Sequence, residues 1–200
     1  MRQKILISVI LPIFNRENYI ARCLRSLIYQ SFPRGSYEII VINDGSTDKT
    51  SDILNAFNDE IIILNHKFNR GLPNALNKGI KASKGKYIVR VDSDDYVNAD
   101  YLKILYMFMQ YNKSYDAAAC DYWIVDKNER VIKRNNCIEN PIGCGIIFKK
   151  KDLIEIGLYN IKYKINEEVD LRKRFEKKFK IHRISLPLYR YKQHDSNMTK

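Results

Sequence analysis

The segment Ile5-Leu-Ile-Ser-Val-Ile-Leu11 is a nearly unbroken run of β-branched and leucine residues. A strand of this kind has no polar face to give to water, so it must be covered on both sides. That condition points to a sheet sandwiched between helices. The residues downstream repeat the same plan. Paired apolar positions between Arg16 and Ser31 (Tyr19/Ile20, Cys23/Leu24, Leu27/Ile28) have helical spacing, and Pro33 and Gly35 end them. Further strands are predicted over Tyr37–Ile42, Ile61–Leu64 and Tyr87–Val91, with helices from Thr47 or Asp48 to about Phe57, over Gly71–Ser83 and over about Ala99–Asn112. Four βα units with short connections imply a mainly parallel sheet flanked by helices.

After Ser114 the pattern changes. An apolar run covers Asp116–Val125, a hairpin turn Asp126–Arg130, a short strand Ile146–Phe148, and helical turns Lys151–Ile156. A helix is expected over Glu168–Lys178 with Val169, Leu171 and Phe175 inward, then one or two strands around Pro187 within Ile181–Tyr191. We read one domain, residues 1–200, with a subdomain seam near 114 separating a mainly parallel α/β half (1–114) from a small α+β half (115–200). Cys23, Cys120, Cys137 and Cys144 form no C-x-x-C pair, which speaks against structural zinc and a disulfide framework. No apolar stretch approaches the length needed to span a bilayer, and Met1–Ser8 has no signal-peptide cleavage region, so a cytosolic location is expected.

In parallel α/β sheets, ligands bind beyond the carboxyl ends of the strands. Three polar clusters fall at those ends: Pro12-Ile13-Phe14-Asn15, Asn43-Asp44-Gly45-Ser46 and Asp92-Ser93-Asp94-Asp95. Two carboxylates in D-x-D spacing can divide work on one ligand, one on a divalent cation and one on a hydroxyl; an acidic turn capping the next helix would look the same. Asp-Gly at 44–45 is also a common turn dipeptide. Glu167-Glu168 at a helix start can supply a general base or form a solvated charge pair. The Rossmann glycine fingerprint and the P-loop are absent.

Taken in order, these motifs resemble family 2 glycosyltransferases of the GT-A fold over nearly the whole chain. The carriers are Ser8–Asn15 (a P-x-Y-N with Phe14 for Tyr), Glu38–Asp48, Asn69-Arg70-Gly71-Leu72 with Ala75, Asn77 and Gly79, Gly85–Ile88 with Asp92–Asp95, Glu167–Arg174 (an E-D-x-D-L-x-x-R with Glu168 for Asp), and Leu188–Tyr191 followed by His194. Leu76 replaces a common Arg. The resemblance implies an inverting transfer from a nucleotide-diphosphate sugar, a UDP-sugar, to a glycan or lipid-diphosphate-linked acceptor in bacterial surface polysaccharide synthesis. It implies that Pro12, Phe14, Asn15, Glu17, Asp44, Arg70, Asn77, Asp92 and Ser93 bind the donor, with Asp44 reading the base. Asp94 and His194 are its implied ligands for Mn²⁺ or Mg²⁺. Glu168 is its implied base, with Glu167 as the alternative carboxylate. A non-catalytic donor-binding subunit is the competing reading.

The chain carries a formal charge of +12. Residues 149–192 hold 14 Lys and Arg against 6 Asp and Glu, so the excess sits in the acceptor half. That distribution suits an anionic membrane surface, with the enzyme peripheral at the inner face of the cell membrane. Nucleic acid is not expected, because no basic helix or RNA-binding aromatic motif accompanies the charge. A homodimer is the remaining expected partner state.

Overall fold

The computed structural model describes residues 4–193. One nine-stranded sheet runs through it, ordered β3-β2-β1-β4-β8-β6-β9-β5, with β7 paired to β6. Strand β1 (Ile7–Ile13) lies between β2 (Tyr37–Asn43) and β4 (Tyr87–Arg90), and β3 (Ile62–Asn65) extends the same parallel set. Beyond β4 the directions mix. Strand β8 (Ile146–Lys149) is antiparallel to β4 and to β6 (Ala117–Val125). Strand β9 (Ile181–Lys192) is parallel to β6, and β5 (Tyr96–Val97) and β7 (Val131–Asn135) pair antiparallel with β9 and β6. The sheet is therefore continuous across residue 114, where the sequence pattern changes.

Alternation along β1 divides the core. Val9, Leu11 and Ile13 face α1 (Ile20–Ile28), α2 (Thr50–Asn55) and α4 (Tyr101–Tyr111), with Leu24, Leu27, Leu54, Leu102 and Leu105 packed beneath them. Ile10, with Ile40 and Ile42 of β2, faces α3 (Leu72–Ala82), α5 (Lys150–Glu155) and α6 (Glu167–Glu176). Both layers are needed because every residue of β1 and β2 is buried.

Three local outcomes differ from the sequence pattern. Strand β1 continues through Pro12. The Ile10 carbonyl accepts Val91 N–H, so even-numbered residues face β4, and the β1–β4 ladder ends at Ile10. Pro12 thus sits where no ladder donor is needed. Helix α1 starts at Ile20 rather than Arg16, and in the turn before it Arg16 N–H donates to Thr50 Oγ1 and Glu17 N–H to Asp48 Oδ2. In α6, Leu171 and Phe175 are buried, but Val169 is 43% exposed. Among the described residues no helix is long and apolar enough to cross a membrane.

The β6–β9 pairing shifts register around Asp121. The Asp121 carboxylate is buried there and receives Arg183 Nε (2.9 Å) and Nη2 (2.7 Å), Arg134 Nη2 (2.8 Å) and the Cys137 N–H (3.3 Å). It clasps β6, β7 and β9 together. Burial raises its pKa, but the two arginines outweigh that and hold it down to about 2. A depressed carboxylate contributes stability above its unfolded pKa and loses it as pH falls toward the folded value. We expect about 1–2 kcal/mol from this clasp at neutral pH, discounted for the part-exposed arginines, fading between about pH 4 and 2. Urea titrations across that range should show it, and Asp121→Asn should lower stability at pH 7 and flatten the acid-side decline.

Candidate active site

The loops after β1, β2 and β4 meet one another and the start of α6 around a cleft of about 730 Å³. Pro12, Phe14, Asp44, Arg70, Asp92, Ser93, Asp94, Glu167 and Glu168 all line it. Their convergence follows from the parallel topology, which brings the carboxyl ends of β1, β2 and β4 to one edge.

Asp44 is buried, and its carboxylate accepts the backbone N–H groups of Arg70 and Gly71, both at 2.9 Å, beside His66 Nδ1. It therefore fixes the entry to α3 while facing the cleft. Asn15, Glu17 and Asn77 do not line the cleft. Asn15 takes the left-handed conformation (φ 51°), donates N–H to Ser46 Oγ and accepts Thr47 N–H at 2.8 Å. Glu17 Oε2 accepts Lys49 N–H at 2.9 Å. Both tie the loop after β1 to the loop after β2. Asn77 pairs its side-chain amide with the backbone of Tyr159, holding α3 against the segment that leads to α6. His194 lies outside the described residues.

At the centre is a buried guanidinium that the sequence analysis did not single out. Arg90, the last residue of β4, donates to Asp92 through Nε (2.7 Å) and Nη2 (3.2 Å), and to Glu167 Oε1 through Nη1 (2.9 Å). Burial works against its charge, but Asp92, Tyr159 and Glu167 more than compensate and hold it protonated. Arg90 precedes Asp92 by two residues, and that spacing was its only signal in sequence.

The two glutamates occupy different environments. Glu167 is buried and ion-paired with Arg90. Glu168 is half-buried and lines the open cleft. Its pKa is raised, first by burial and then by the adjacent Glu167, against the lowering effect of its own backbone N–H and Arg90. Gly143 passes beside both groups: a Cβ there would stand 2.8 Å from Arg90 Nη1 and 2.9 Å from Glu168 Cβ.

The acidic turn is held from behind. Tyr189 on β9 accepts the Asp92 N–H (3.1 Å) and donates to Asp95 Oδ2 (2.7 Å), while Asp95 Oδ1 accepts the Lys192 N–H (2.8 Å). Burial, then Asp94 and Asp92, raise the Asp95 pKa well above the carboxylate range. Among the described residues, the tightest group of metal-type donors is Asp92, Asp95 and Cys144. That set suits a hard cation poorly. Both Asp95 oxygens are engaged, and burial keeps the Cys144 thiol protonated. Asp94 at the cleft surface does fit Mg²⁺ or Mn²⁺, which can take a single carboxylate and leave room for substrate phosphates, whereas both Asp92 oxygens already accept from Arg90. Arg16 Nε stands 3.5 Å from Asp94 Oδ2 on the same wall, a second cleft residue with no sequence signal.

Comparison with known proteins now bears on this geometry. The poly(ribitol-phosphate) beta-glucosyltransferase of Bacillus spizizenii is 41% identical over 112 residues, 54% of this chain and 18% of its own length. Glycosyltransferase GlyG of Streptococcus pneumoniae is 35% identical over 127 residues, 62% of this chain and 41% of its own length. The chain thus spans well under half of these curated relatives. In fold, it superposes on a crystal structure of S. aureus TarS residues 1–349 in complex with UDP with a TM-score of 0.81, at 23% identity, covering 94% of this chain and 61% of that one. A mannosyltransferase from Pyrobaculum calidifontis, in complex with GDP-Man and Mn²⁺, matches with a TM-score of 0.78 at 17% identity over 97% of this chain and 59% of that one. The family model for glycosyl transferase family 2 matches residues 8–177, from the opening strand through the glutamate pair to the end of α6, and the chain belongs to that family.

Proposed function

We propose that this chain is an inverting glycosyltransferase that moves a sugar from a UDP-sugar to a hydroxyl of a glycan or lipid-linked acceptor. The observation that carries this reading is the placement of Glu168 across one cleft from the Asp92-Ser93-Asp94 turn. Relatives that act on poly(ribitol-phosphate) and a fold neighbour bound to UDP support the donor and the setting in surface-polymer synthesis. Peripheral attachment at the inner face of the cell membrane, and a homodimer, remain parts of the same proposal, as does the division into a donor half (1–114) and an acceptor half (115–200).

In this reading, Asp44 receives the base and Pro12, Phe14 and Arg70 shape its pocket. Asp92 orients the ribose or donor sugar, and its pairing with Arg90 fixes the direction of its carboxylate. Asn15, Glu17 and Asn77 act indirectly, by holding the loops that bind. Asp94 would hold Mg²⁺ or Mn²⁺, with His194 as the second ligand that the resemblance implies. Such an ion, when bound, would neutralise charge on the departing diphosphate. Arg16 adds a fixed positive charge on that side.

A sugar hydroxyl is a poor nucleophile at neutral pH, so its proton must be removed as the new bond forms. Glu168 Oε accepts that proton. Its raised pKa makes it a stronger base than a solvated glutamate. Attack from the face opposite the diphosphate inverts the anomeric centre. Glu167 is less suited to the role because its carboxylate is committed to Arg90.

Glu168→Gln should retain UDP-sugar binding but lose about 10²–10⁴-fold in transfer, read by product formation with an acceptor panel. Full transfer by this variant would reject the base. Because the Glu168 pKa is raised, kcat/KM should fall as pH drops through a value above the ordinary carboxylate range, and the wild-type acid limb should report it. Asp94→Ala should abolish the added thermal stability that Mn²⁺ gives the UDP complex, together with metal-dependent turnover. Hydrolysis of UDP-sugar by the purified chain alone would exclude the non-catalytic subunit reading.

A further inference from the structure

A second cavity, of about 210 Å³, lies against the first. Pro141, Ile142, Gly143 and Glu168 line both cavities. Gly143 belongs to the partition these residues form, where a Cβ would meet both Arg90 Nη1 and Glu168 Cβ. Behind it, Ile146, Phe148, Tyr159, Leu171 and Ile181 form apolar walls, and the exposed Val169 borders the opening.

The charged groups on its rim balance: Glu168 and Glu176 against Arg172 and Lys173. An anionic ligand therefore gains nothing from the rim. A bare hexose would set its hydroxyls against walls that offer them few partners. Arg172 Nε donates to Glu176 Oε1 at 2.8 Å, so this cation is already paired on the rim.

We propose that this cavity is an acceptor subsite for an uncharged apolar aglycone. This rests on the glycosyl-transfer reading above. An acceptor sugar presenting a hydroxyl to Glu168 has its substituent beside the Gly143 partition. The apolar walls then select a glycoside that carries an alkyl or aryl group over a free sugar. Val169 serves this subsite from the exposed side of α6, which gives a purpose to an apolar side chain left outside the core.

Equilibrium titration of the full chain without donor tests the subsite separately from turnover. Hexyl β-D-glucoside should bind at least tenfold more tightly than methyl β-D-glucoside, and more tightly than hexyl phosphate. Val169→Glu, at an exposed position, should reduce the hexyl-over-methyl preference to less than about twofold. Equal binding of the two glucosides, tighter binding of hexyl phosphate, or a preference that survives in the folded variant would overturn the subsite. A chain that prefers hexyl glucoside but neither hydrolyses nor transfers any UDP-sugar would sink the transferase reading and leave the subsite standing.

Discussion

The buried guanidinium of Arg90 is the interaction on which the site depends. It takes Asp92 from the loop after β4 and Glu167 from the start of α6 and holds both at hydrogen-bond distance. Removing either acid would leave charge stranded in the interior, which is far costlier than the pair is favourable. The value of the cluster therefore lies in registry more than in net stability. It aligns the Asp92 carboxylate with the helix that carries Glu168, and its charge offsets part of the effect of Glu167 on Glu168.

The sheet makes this alignment rigid. Strand β9 is the last described element, yet it reaches back to the acidic turn through Tyr189 and the Lys192 N–H. The Asn77 amide stitches α3 to the segment preceding α6. Loops that are distant in sequence are thus held by buried hydrogen bonds from strands and helices beneath them, and the cleft surface can consist mainly of irregular backbone without being loose.

The parallel part of the sheet and the clusters at its strand ends were legible in the sequence because their signals are local. A fully buried strand such as β1 reads as an apolar run, and Asp44, Asp92 and Asp94 follow their strands at positions where parallel topology places ligands. The remainder depends on contacts between distant residues. Strand β5 is two residues long and exists through its pairing with β9. The inward roles of Arg90 and Asp95 depend on which groups arrive from α6 and β9. Helix periodicity placed Leu171 and Phe175 correctly, but Val169 lies on the edge of the apolar stripe, where tertiary packing decides. Asn15, Glu17 and Asn77 were picked out by motif; the structure shows them bonded to loop backbone, a distinction residue identity cannot make.

The thin partition at Gly143 ties two kinds of selectivity together. The wall between the cleft and the apolar cavity is shared by Pro141, Ile142, Gly143 and Glu168, and one Cβ added at Gly143 would meet both the cation that orients Asp92 and the Glu168 side chain. Thickening it by even a methyl group would displace both at once. Diversification of this site is therefore channelled away from the wall, toward residues such as Val169 and Arg172 on α6 and the exposed loop at 161–166, where a new side chain can change which acceptor is welcomed without moving the chemistry.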